Sequence, residues 1–163
     1  MFLCTGNAAR SVMAGVMLEA HGTPVQVTTA GTHVVEHQPM SIRTRAALAA
    51  VGFEAPAHRS RQLTAAEAAH AHLVVAMAAE HVWFVRRRHP EAAARTATLR
   101  YLAAHLPPGP GPLPARVAGL GLGDLDPARQ GDVADPAGGD EADYVSCARE
   151  LAALMAELAG RLP

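Results

Sequence analysis

The sequence predicts an α/β fold built on a parallel sheet, and three observations lead there. Short apolar runs of strand character alternate with longer segments of helical period, the pattern that βαβ units produce. The run His72–Met77, reading HLVVAM, is almost continuously apolar, as a parallel strand covered on both faces has to be. No repeat, linker or shift in composition divides the chain, so its 163 residues are expected to form a single domain.

The elements follow in order. Met1–Cys4 reads as the end of a strand, broken by Gly6 and Asn7. From Arg10 to His21 the residues Val12, Met13, Val16, Met17 and Ala20 recur at helical spacing, and Gly22 stops the helix. Val25–Ala30 is rich in Val and Thr and predicts a second strand ending at Gly31. Ser41 caps a helix running through Ala50 and closed at Gly52. Thr64 and Glu67 have capping-box spacing and open a short helix. After the strand at 72–77, a helix is expected over Ala78–His89, stopped before Pro90. Thr96–Tyr101 reads as a further strand, and Leu106–Val133, dense in Pro and Gly, as a loop. From Asp140 onward Tyr144, Val145, Ala148, Leu151, Met155, Leu158 and Leu162 mark one face of a long terminal helix.

Composition narrows the function. A net charge of -1 does not suit a general nucleic-acid or membrane-surface binder. With 3 Phe, 2 Tyr and 1 Trp there is little from which to build a base-stacking surface. No apolar run approaches the roughly 20 residues that span a bilayer, and the first residues do not have the form of a signal peptide, so a cytoplasmic protein is expected. The 9 His are scattered without zinc-ligand spacing, so no metal and no cofactor is expected. The 2 Cys, Cys4 and Cys147, are expected to stay reduced, Cys147 as an inert buried thiol.

The chemistry gathers in Cys4-Thr5-Gly6-Asn7-Ala8-Ala9-Arg10-Ser11, between the first strand and the first helix. In an open parallel sheet, ligands bind at the carboxyl ends of the strands, which is where this segment lies. A loop entering a helix N-terminus turns backbone N–H groups inward and adds the helix dipole, making an anion site. Gly6 is expected to let the loop curl, Ala8 and Ala9 to keep it open, and Arg10 to present a planar fork to two phosphate oxygens. A thiol facing such a field ionises readily, so Cys4 is the expected nucleophile, with the Ser11 hydroxyl bonded to its sulfur.

This string resembles the phosphate loop of the low-molecular-weight protein tyrosine phosphatase family. Further stretches resemble the family in the same order: Thr29–Thr32, His58–Thr64, Leu73–Met77 followed by His81, and Asp135–Asp140 with Tyr144. The resemblance implies a three-layer sandwich with a four-stranded parallel sheet flanked by helices. It also implies roles. Cys4 forms a cysteinyl-phosphate, residues 5–11 bind phosphate, and Arg10 stabilises the transition state. Asn7 holds the loop's shape. Asp135 protonates the leaving group and then activates water, a double duty that one carboxyl group can perform. Phosphotyrosine or another aryl phosphate, on a protein or a small molecule, is the implied substrate.

Asp126-Pro127 duplicates Asp135-Pro136, but only the latter is followed by Gly138, Gly139 and the final helix, so Asp126 reads as a solvated turn. His58 and Arg61 read equally as braces of the phosphate loop or as a surface connector. Arg86, Arg87 and Arg88 read as a charged helix end, and Trp83 as a core or interface residue. Ala137 stands where the family commonly has an aromatic side chain lining the phenyl pocket. Ala9 stands where many members carry a second loop cysteine, so oxidation of Cys4 by peroxide is expected to resist reversal by dithiol. Two other functions fit the loop. An arsenate reductase drawing on an external low-molecular-weight thiol needs only Cys4. A weak phosphate-binding module would use Arg10 and the cradle, with no need of Cys4 or Asp135.

Overall fold

The computed structural model describes residues 1–163. Four parallel strands form one sheet in the order β2-β1-β3-β4. They are β1 (Phe2–Cys4), β2 (Thr29–Gly31), β3 (Val74–Ala76) and β4 (Thr96–Thr98). The helices are α1 (Arg10–Ala20), α2 (Ile42–Ala50), α3 (Ala65–His70), α4 (Ala79–Arg88), α5 (Leu99–His105), α6 (Leu113–Ala118) and α7 (Glu141–Ala159). None is long and apolar enough to cross a membrane.

Side chains alternate across the pleat, and that alternation makes the layers. Phe2, Cys4, Val75, Met77 and Ala97 join the larger core with residues of α1, α2, α5 and α7. Leu3, Ala30 and Val74 face the other way, onto Ala68 of α3, Val85 of α4 and Ala92. The sheet is thus sandwiched between helices, with α7 packed against α1, α2 and α5. β1 is paired on both sides, by β2 and β3, and all three of its residues are buried. The chain winds one way from β1 to β2 and the other way from β3 to β4, which puts the switch point at the end of β1.

Three expectations are corrected. The second strand occupies only Thr29–Gly31, where its residues pair in register with Phe2–Cys4 of β1. Beyond Thr98 the expected fourth strand turns into α5, since the Thr98 hydroxyl accepts the Tyr101 N–H and caps the helix. Within the expected loop of 106–133, α6 forms with Pro at its start, where the missing N–H costs nothing, and Val117 and Leu122 join the core. The capping predictions hold: Ser41 accepts the Thr44 N–H, and Thr64 and Glu67 bond reciprocally; the structure adds a cap of Asp140 and Asp143 on α7.

Candidate active site

The loop Cys4–Ser11 is held from three directions. Backbone N–H groups of Thr32 and His33 donate to the carbonyls of Cys4 and Thr5, both at 2.9 Å. The hydroxyl of Thr44 on α2 donates to the Ala8 carbonyl at 3.1 Å. His58 Nε2 donates to the Asn7 carbonyl at 2.7 Å. The bracing alternative for His58 therefore holds. The backbone N–H of Arg61 joins it, donating to Asn7 Oδ1 at 3.0 Å, while the Arg61 side chain pairs with Glu67.

Asn7 makes the turn. Its φ of 49° is left-handed, a region asparagine tolerates better than most residues. Fully buried, it spends both side-chain protons, on Ser11 Oγ at 3.1 Å and Thr29 Oγ1 at 3.0 Å. Gly6 does not supply the unusual backbone angle that the sequence suggests; a Cβ there would meet no atom within 4 Å. Its lack of a side chain instead leaves open space beside the loop, which permits a close approach of a ligand to the backbone.

Cys4 Sγ lies 3.0 Å from Ser11 Oγ. Because that oxygen already accepts a proton from Asn7, the Ser11 hydroxyl proton is free to point at the sulfur. No side chain caps α1, so its first turn faces the loop with free N–H groups. Arg10, the first residue of that helix, is 3 % exposed. One guanidinium nitrogen donates to the Val133 carbonyl at 3.2 Å. The other pairs with Asp135 and stands 3.4 Å from Thr5 Oγ1.

Asp135 arrives from 125 residues away. The segment carrying it is tied to the sheet by Val133 N–H donating to the Met77 carbonyl at 2.8 Å. Asp132 Oδ1 takes the free N–H of Ala79 at the start of α4, at 2.8 Å. Arg43 on α2 reaches across to the Gly139 carbonyl at 2.9 Å. Asp135 Oδ1 itself accepts the Ala137 N–H at 3.0 Å, and its side chain is 42 % exposed. Asp126, by contrast, caps a short turn through the Ala128 N–H, as its solvated-turn reading requires.

Cys147 is buried on α7, and burial first, then Glu150, pushes its thiol up to about 12, so it stays protonated. Arg86 departs from its expected role at a solvated helix end: it donates to the carbonyls of Leu122 and Leu125. Trp83 is 42 % exposed and lies under the Arg86 guanidinium. Sequence reasoning missed the Thr5 hydroxyl, the Val133 carbonyl and His81 as neighbours of Arg10. Burial first, and then the charges of Arg10 and His33, lower His81 to about 3. His81 stands in a stretch that resembles the family, just inside a helix behind a buried strand, but nothing local ties it to Arg10.

A parallel sheet whose switch point carries a cysteine, an arginine fork and an opposed carboxylate is an arrangement suited to phosphoryl transfer in an α/β protein. The chain belongs to the family described as low molecular weight phosphotyrosine protein phosphatase, whose family model matches residues 1–106. It is 33% identical over 163 residues to a protein-arginine-phosphatase of Geobacillus stearothermophilus, covering 99% of this chain and 94% of that one. It is 31% identical over 96 residues to the low molecular weight protein-tyrosine-phosphatase Etp of Escherichia coli, covering 59% of this chain and 65% of the relative. Among solved structures, the YwlE arginine phosphatase of the same Geobacillus species superposes with a TM-score of 0.78 over 97% of this chain and 88% of that chain, at 33% identity. Vibrio vulnificus Wzb in complex with benzylphosphonate gives a TM-score of 0.79 over 99% of this chain and 96% of that one; at 18% identity it speaks for the fold alone.

Proposed function

We propose that this phosphatase acts on phosphorylated protein side chains through a cysteinyl-phosphate on Cys4. The observation that carries the reading is one cluster: Cys4 sulfur beside the Ser11 hydroxyl, with Arg10 and Asp135 paired at the same loop. In the first step Cys4 sulfur attacks phosphorus, the bond from phosphorus to the leaving atom breaks, and Asp135 gives that atom its proton. The loop amides and Arg10 hold the equatorial oxygens as charge spreads over them. In the second step Asp135 takes a proton from water, the water oxygen attacks phosphorus, and the sulfur–phosphorus bond breaks to release inorganic phosphate. The Ser11 hydroxyl steadies the departing sulfur.

The leaving group is argued from two further observations. The arginine phosphatase resembles this chain along nearly all of its length, the tyrosine phosphatase along 59% of it. The acid loop carries Ala137, which has no ring to stack against a phenyl leaving group. Phosphoarginine is therefore placed ahead of phosphotyrosine. A peptide bearing each group, compared by kcat/KM, decides between them, and a tyrosine preference would reverse the order.

Turnover of p-nitrophenyl phosphate tests the machinery itself. Cys4→Ser is expected to be inactive, and Asp135→Ala to lose on the order of 10²-fold in kcat, the scale of a lost general acid. Asp126→Ala, on its separate turn, is expected to stay near the wild-type rate. Wild-type activity in Cys4→Ser would end this reading.

A further inference from the structure

His81 is not one of the groups that chemistry at phosphorus requires, yet it is 1 % exposed, polar, and set against the phosphate loop. One of its hydrogen bonds fixes the ring's tautomer. The Ala78 backbone N–H, which can only donate, points at His81 Nδ1 from 3.0 Å. That nitrogen therefore carries a lone pair, and the proton of the neutral ring is on Nε2. Nε2 lies 3.0 Å from Thr5 Oγ1 and 3.3 Å from Glu80 Oε1, and the nearer Thr5 oxygen takes its proton. Arg10 is the second donor to the same oxygen, at 3.4 Å. With both lone pairs of Thr5 occupied, its own proton goes to Glu80 Oε1 at 3.3 Å.

This chain of bonds matters because of what else holds Arg10. Its anchors are the Val133 carbonyl, Asp135 and Thr5 Oγ1. During the reaction Asp135 has to serve the leaving group, so it cannot also hold the guanidinium. Two anchors then remain, and the direction of one is set by His81. We propose that His81 is a positioning residue for phosphoryl transfer, fixing through Thr5 the plane in which Arg10 meets the transferring phosphoryl group. The inference rests on the reading of Arg10 as the phosphate ligand.

A double-mutant cycle tests it, read as kcat and KM for p-nitrophenyl phosphate and as inhibition by orthovanadate. In His81→Asn the amide oxygen takes the place of Nδ1 and still accepts the Ala78 N–H, but no donor reaches Thr5. Thr5→Val removes the hydroxyl with little change of shape. Each is expected to lower kcat/KM about 10-fold, and the double variant about 10-fold as well, where independent effects would give about 100-fold. His81→Gln, which returns an N–H near the position of Nε2, is expected to recover most of the loss. Vanadate affinity should fall in step with kcat/KM. A double variant showing the full product of the two losses, or His81→Asn at the wild-type rate, overturns the proposal.

Should His81→Asn fail to fold, Thr5→Ser against Thr5→Val carries the same question: the serine keeps activity and the valine loses it. Equal rates for the two would overturn the proposal. Arg10→Lys separates the levels. Near-normal activity there defeats the reading of Arg10 as phosphate ligand. An inactive Arg10→Lys beside an unaffected His81→Asn defeats only the role of His81.

Discussion

Gly31, at the end of β2, lies hard against the phosphate loop. A Cβ on it would come within 2.6 Å of the Thr5 carbonyl and 3.0 Å of the Asn7 nitrogen, both backbone atoms of the phosphate loop. Backbone cannot swing aside as a long side chain can, so Gly31→Ala has to displace the loop. The expected outcome is a loss of p-nitrophenyl phosphate activity well beyond the loss of stability, seen by comparing kcat with the urea midpoint; unchanged kcat would show that the loop tolerates the shift. Asn7 marks the boundary of what the sequence alone makes legible at this scale. Its presence in the loop string pointed to side-chain bonds holding the loop. The sequence pointed to Gly6 for the backbone turn, however, and the turn falls on Asn7, because the conformation is chosen by the partners waiting for its amide. Glycine's freedom is visible in a sequence; the location of those partners is not.

Among the elements, α7 does the most to join the parts. It packs on α1, α2 and α5, and buries Tyr144, Cys147, Ala148, Leu151, Met155 and Leu158. Leu151→Ala opens a cavity at a fully buried position and is expected to cost about 2–5 kcal/mol, measured by urea unfolding. Asp140→Ala removes a cap that accepts the Asp143 N–H at 3.1 Å, and is expected to cost about 0.5–2 kcal/mol. The period of α7 is a local property, which is why it could be read directly. The end of β4 could not, because Thr-Ala-Thr followed by Leu-Arg-Tyr suits a strand as well as a helix start. What decides is Gln130, whose side-chain oxygen takes the Thr98 N–H at 2.8 Å while its backbone carbonyl takes the Thr98 hydroxyl proton at 2.8 Å. That partner lies 32 residues away and leaves no local trace.

For the molecule as a whole, His81 ties stability to acidity. Held neutral in the fold down to about 3, it takes up a proton in the unfolded chain as pH falls through the ordinary 6.5. The contribution of His81 to stability is therefore complete above about 6.5 and is lost as pH falls from there toward 3, at a limiting slope of about 1.4 kcal/mol per pH unit for one proton. The groups facing the ring are Arg10, His33 and Glu80; the first two oppose its charging, while Glu80, mostly exposed, offsets little. Urea midpoints taken between pH 7 and 4 are expected to fall less steeply in His81→Gln than in the wild type, and parallel slopes would contradict the assignment. At this scale the sequence revealed the layering and the order of the strands' motifs, since apolar runs announce buried strands. It could not reveal that Arg10 is held by a carbonyl of the acid loop, because that contact spans 123 residues.

That same span has a consequence for the birth of the molecule. During synthesis the phosphate loop leaves the ribosome well before Val133 and Asp135, which orient and oppose its arginine. The helix that covers α1 follows later still. A nascent chain therefore holds an incomplete site until Val133 and Asp135 have emerged to meet Arg10.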